Sequence, residues 1–132
     1  MSEPFISIAS YRVKPGFADV VHQRTEDLVT RVEEREPQLL SFHFYLDEDR
    51  ARLVCVQVHP NADSMATHMA VVADHIASAS DWLELSDSTQ LVLGVPPAVL
   101  DQYWQDTDKG PDRYPTFLAG FARSAPQASL TG

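Results

Sequence analysis

The sequence predicts an α+β domain of order βαββαβ, a four-stranded antiparallel sheet with two helices on one side, followed by a C-terminal helix and tail. Three observations carry that reading. Residues 39–60 hold two β-rich segments around the charged turn Asp47-Glu48-Asp49-Arg50. Apolar residues recur at helical spacing on both sides of that hairpin, and strand-like segments open the chain and close its first 95 residues.

Residues 5–13, rich in Ile, Ser and aromatic side chains, form the first strand, and Lys14-Pro15-Gly16 turns the chain. Over residues 17–36 the period changes. Phe17, Val21, Thr25, Leu28, Val29 and Val32 make one face, while His22, Arg24, Glu26 and the run Glu33-Glu34-Arg35 lie mostly elsewhere. Pro37 ends this helix, because the residue before a proline is pushed out of the α region.

In the hairpin, Leu40, Phe42, Phe44 and Leu46 alternate with Ser41, His43 and Tyr45, and Val54, Val56 and Val58 alternate with Leu53, Cys55, Gln57 and His59. A register that sets Asp47 opposite Ala51 is expected. It gives one wholly apolar face and gathers Ser41, His43, Tyr45, Cys55, Gln57 and His59 on the other, a face that a purely structural sheet does not need.

Asn61 is the expected cap of a second helix running to about Ser80, with Asp63 complementing its dipole. Met65, Met69, Val72 and Ile76 form its core stripe, and His68, Val72, His75 and Ala79 an adjoining one. Residues 81–87 read as a connection carrying Trp82, and residues 89–95 as the fourth strand. The domain is therefore expected at residues 1–95, with an extension at 96–132. Pro96-Pro97 opens a short helix bearing Val99, Leu100, Tyr103 and Trp104. Residues 106–115 read as loop, 116–122 as a docking segment with Phe117, Leu118 and Phe121, and 124–132 as loose.

Composition narrows the function. A chain of 132 residues with 44% hydrophobic content buries a real core, which argues against disorder. A net charge of -9 with scattered basic residues argues against nucleic acid. The single cysteine cannot form an internal disulfide, and the opening Met1-Ser2-Glu3-Pro4 lacks the features of a secretory signal. A cytoplasmic location is the expectation. No apolar run approaches the roughly 20 residues that cross a bilayer, so no membrane role is expected. A sheet with helices on one side leaves its other side bare, and a second copy related by a two-fold axis is the simplest cover; a homodimer is expected.

Val13-Lys14-Pro15-Gly16-Phe17, Glu36-Pro37-Gln38-Leu39-Leu40-Ser41-Phe42 and Asp63-Ser64-Met65-Ala66-Thr67-His68-Met69 resemble, in order and spacing, the antibiotic-biosynthesis-monooxygenase group of dimeric α/β barrels. The resemblance covers roughly residues 5–95. It implies a ferredoxin-like homodimer, in a group that includes monooxygenases that oxidise polycyclic phenols or quinols without metal or flavin, haem-degrading enzymes, and many members without a known reaction. His59 stands where many members carry tryptophan and Gln57 where glutamate is common. Ser7 and Ser10 replace the asparagine of the haem-degrading branch, which argues against haem.

His68 matches the histidine that such relatives often carry in the second helix. A neutral imidazole suits a general base, so His68 is the expected catalytic residue, and no cofactor is expected. The expected pocket, between helices and sheet, holds a hydrophobic aromatic or polyketide-like molecule. His43, Tyr45, Gln57 and Tyr11 would face it from the sheet, Val72 and His75 from the helix, and Trp82 would close it. His43 and Cys55 become cross-strand neighbours in the expected register, yet His59 lies roughly 13 Å from Cys55 along the strand, so no metal site is expected. The rival readings are a binding module without chemistry, a structural dimer without a pocket, and an isomerase or lactone-processing enzyme using the same base.

Overall fold

The computed structural model describes residues 3–105 and 110–123. The elements are β1 (Phe5–Val13), α1 (Ala18–Arg35), β2 (Ser41–Leu46), β3 (Arg52–His59), α2 (Ala62–Val71), α3 (Ala73–Ser78), a 3-10 turn (Ala79–Asp81), β4 (Leu83–Leu93), α4 (Ala98–Gln105) and β5 (Asp112–Tyr114). One sheet runs β2-β3-β1-β4-β5. Its first four strands are antiparallel and β5 joins β4 in parallel. This is the ferredoxin-like α+β fold with one strand added at the edge.

The hairpin departs from the expected register. Leu46 pairs with Leu53 and Phe42 with Gln57, one residue away from the pairing of Asp47 with Ala51. The turn explains the slip. Asp47 N–H donates to Arg52 O, while the Asp47 carboxylate accepts from the N–H groups of Ala51 and Arg52. Arg50 supplies the extra residue in a left-handed conformation, φ 56°. Each sheet face is therefore mixed. Phe42, Phe44 and Leu46 join Leu53, Cys55, Gln57 and His59, together with Phe5, Ser7, Ala9 and Tyr11 of β1. Ser41, His43 and Tyr45 fall on the opposite face with Val54, Val56, Val58, Ile6 and Ile8.

The first of these faces is the one that the core covers. Val21, Leu28 and Val32 of α1, Met65 of α2 and Val72 are buried among its residues. The second helix is interrupted at Val72, φ -98° and ψ 8°, so α2 and α3 replace one continuous helix. The fourth strand begins at Leu83, earlier than expected. Between the pairs Arg12–Glu84 and Tyr11–Ser88 it bulges outward through residues 85–87. Asp87 anchors the bulge by accepting from Arg12 and, at 3.2 Å, from Arg52 Nη1.

Residues 112–114, expected as loop, form the edge strand β5. Gly94 N–H donates to Tyr114 O at 2.9 Å. Gly94 has φ +100°, and a Cβ there would stand 2.8 Å from Pro4 O, so glycine is required. α4 covers Phe5, Met65 and Val92 with Leu100 and Trp104. Residues 116–122 do not dock on the same chain: Leu118 is 93% and Phe121 83% exposed. The expectation for residues 124–132 lies outside the described residues, as does that for 106–109.

Candidate functional site

A cavity of about 870 Å³ lies between the covered sheet face and the helices. Its walls are mainly apolar, and six of the eight residues expected to line it do so: Tyr11, Gln57, His68, Val72, His75 and Trp82. His43 and Tyr45 do not. The one-residue register puts both on the open face, where they stack at 6.4 Å and His43 Nδ1 lies 2.8 Å from Ser41 Oγ.

His68 is the most constrained polar group in the cavity. Its Nδ1 lies 2.9 Å from Glu36 Oε2, with side-chain exposures of 4% and 0% for the two residues. The sequence explains why a glutamate from a charged run is buried. Pro37 forces Glu36 off the helix to φ -127°, ψ 68°, where its N–H still donates to Val32 O, and this cap turns the side chain under α1. The His68 ring packs edge-on against Phe42 and His59, and its Nε2 makes no hydrogen bond among the described residues. The sequence does not mark Glu36 as a buried partner of His68, because Glu33, Glu34 and Arg35 make it look like part of a solvated face. The proline after it was the available signal.

His59, fully buried, supports this arrangement. Its Nε2–H donates to Gln57 Oε1 at 2.8 Å and its Nδ1 accepts from Ser64 Oγ at 2.7 Å. Ser64 is fixed in turn, because its N–H donates to the Asn61 side chain that caps α2. Both nitrogens of His59 are thus used within the protein, and it positions Gln57 and the start of α2.

The electrostatics follow from burial. Desolvation pushes the Glu36 carboxyl up to about 7 and the imidazoles of His59 and His68 down to about 4, with His59 adding to the effect on His68. The favoured uncharged pairing has the Glu36 carboxyl donating to His68 Nδ1, which leaves the proton of the imidazole on Nε2. Loss of one proton from the pair near pH 7 leaves a carboxylate accepting from Nδ1–H, and Nε2 becomes a free base. Burial also raises the Tyr11 phenol and pushes the Cys55 thiol up to about 12, so both stay protonated. His75 is held below its ordinary value by burial and by Arg31 and Arg24. Among the described residues no group of three or more His, Cys, Asp or Glu could hold a metal ion, and no helix is long and apolar enough to cross a membrane.

No protein-family model and no curated protein matches the sequence. Solved structures match the fold. MupZ from Pseudomonas fluorescens is 14% identical, with 92% of this chain and 96% of that chain covered and a TM-score of 0.70. A crystal structure of an antibiotic biosynthesis monooxygenase is 20% identical over 70% of this chain and 99% of its own, at a TM-score of 0.60. Rv0793 from Mycobacterium tuberculosis is 16% identical over 72% and 97%, at 0.61. The chain has the ferredoxin-like fold of the antibiotic biosynthesis monooxygenase proteins. Likeness at this level is one of fold, and the chemistry has to be argued from the site.

Proposed function

We propose that this protein is a cofactor-independent monooxygenase acting on an aromatic, quinol or polyketide-like small molecule, with His68 as general base and Glu36 as its positioning residue. The observation that carries the reading is the buried Glu36–His68 pair, 2.9 Å apart, on the wall of a largely apolar cavity. His68 Nε2 takes an acidic C–H or O–H proton. The substrate anion gives its electrons to molecular oxygen and a C–O bond forms, and the proton returns to the peroxide oxygen. A hydroperoxide formed at a CH₂ carbon then eliminates water to leave a carbonyl. The protein supplies the base, a largely apolar cavity, and the Gln57 amide as a polar group beside the developing charge.

The working unit in this proposal is a cytoplasmic homodimer. Ile6, Ile8, Val54, Val56 and Val58 lie half-buried on a face that no helix among the described residues covers. At about 25 cal/mol per Å² of apolar surface, covering it with a second copy is favourable.

Oxygen uptake with anthrones and hydroquinones, without added metal, tests the reaction. His68→Ala is expected to lower turnover by about 10²- to 10⁴-fold while the ligand still binds, and His43→Ala on the other face to leave turnover unchanged. Equal loss of binding and turnover in His68→Ala, or no uptake by the wild type, would favour a binding module without chemistry.

A further inference from the structure

The cavity has polar groups at two ends, and the chemistry above uses one. The sheet register fixes their separation. His68 packs on Phe42, in the row of paired residues Phe42, Gln57, Ser7 and Val92. Tyr11 and Trp82 belong to the cluster around Leu53, in the row Leu46, Leu53, Tyr11 and Ser88. The two rows are four residues apart along the strands, about 13 Å. His75 marks the second end, its ring edge-on to Trp82 with centroids 5.1 Å apart.

Between the ends the wall includes Phe44, Val72, the protonated thiol of Cys55 and Gln90, whose amide is already engaged, donating to Ser7 Oγ and accepting from Trp104 Nε1. Neither the Tyr11 hydroxyl nor the His75 ring makes a hydrogen bond among the described residues, although both line the cavity. Of the lining residues other than histidine only Asp112, exposed on the edge strand, carries a charge. A ligand filling this space gains hydrogen bonds at both ends and apolar burial between them.

We propose that Tyr11 and His75 form a second recognition site, taking a hydroxyl or carbonyl oxygen at the far end of an elongated, flat, uncharged ligand whose reacting end lies at His68. The proposal rests on the reading of His68 as the reacting end, and it specifies the substrate class: molecules oxygenated at both ends of a long apolar skeleton. Trp82 fixes the orientation of His75 by ring packing, and Tyr11 is fixed by its place in β1.

Calorimetric titration with 2,6-dihydroxyanthraquinone and 2-hydroxyanthraquinone tests this. The wild type is expected to bind the first about tenfold more tightly, as one or two net hydrogen bonds allow. Tyr11→Phe, which keeps the ring and the packing, should cut that preference severalfold, and Tyr11→Phe with His75→Leu should remove it while affinity for the second compound is kept. A preference that survives in Tyr11→Phe and in the double variant would overturn the proposal, as would a wild type with no preference. Binding is read without turnover, so an inert His68 would show as absent oxygen uptake with the preference intact.

Discussion

The two faces of the β2–β3 hairpin are built from alternating residues of the same two strands and meet different fates. On one, Phe42, Phe44, Cys55 and Gln57 line a cavity under the helices. On the other, His43 and Tyr45 are exposed and the valines of β3 are half-buried. Composition does not explain the contrast, since each face carries a histidine, an aromatic and aliphatic residues. What differs is what stands opposite. The covered face meets a histidine whose partner carboxyl is itself buried, and the open face meets no helix among the described residues. Chemistry in this fold is assigned by register and by what the helices bring, more than by the residue types in the strands.

The largest effect that would break this comparison comes from a charge at the centre of the open face. Val56 lies between Ile8 and His43 in the sheet. Val56→Arg is expected to weaken self-association by a hundredfold or more, because an unpaired guanidinium would be buried in an apolar contact. Analytical ultracentrifugation reads this, and an unchanged assembly would remove the open face from the interface. Ligand binding in the cavity on the other face should persist.

Acid sharpens the contrast, because the buried titratable groups of the pair and its support all belong to the covered side. His59 and His68 have folded values of about 4, below the ordinary 6.5, so the stability they contribute is lost as pH falls from 6.5 toward 4. Glu36 has the opposite sign. Its folded value of about 7 lies above the ordinary 4.5, so its contribution is lost as pH rises through that range. Two histidines outweigh one glutamate between pH 6.5 and 4.5, and His75 adds to them in direction. Urea unfolding should therefore show stability on the order of 2–3 kcal/mol lower at pH 4.5 than at pH 6.5. An increase over that interval would mean that the histidines are solvated.

The smallest effect separates neighbours in sequence. Phe44→Ala should cost about 2 kcal/mol by opening the packing with Phe42 and with the buried clusters around Leu53 and Leu28, whereas Tyr45→Ala should change the stability of a dissociated chain by less than about 0.5 kcal/mol. Equal costs in denaturant melts would contradict the assigned register.

Much of this was legible in the sequence. β1 and the first helix follow from alternation, the Lys14-Pro15-Gly16 turn and Pro37, and the Asn61 cap is seen in the structure with its side chain on Ser64 N–H. His68 was singled out by the family resemblance, and the structure puts it on the cavity wall. The register could not be read, because it turns on Arg50 adopting a left-handed conformation, which an arginine rarely signals. The bulge at residues 85–87 depends on Asp87 reaching two arginines from other strands, Arg12 and Arg52, and such long-range pairs leave no local pattern. Glu36 was hidden for a third reason: a glutamate in a charged run is normally solvated, and only tertiary packing shows that the chain folds it inward.

The most direct test of the central claim is a ¹⁵N NMR titration of His68. A buried Glu36–His68 pair predicts a tautomer change near pH 7, from Nε2–H below to Nδ1–H above, with the imidazolium forming only near pH 4. An imidazolium that forms near pH 6.5 with no tautomer change would show a solvated histidine unpaired from Glu36, and would contradict the account.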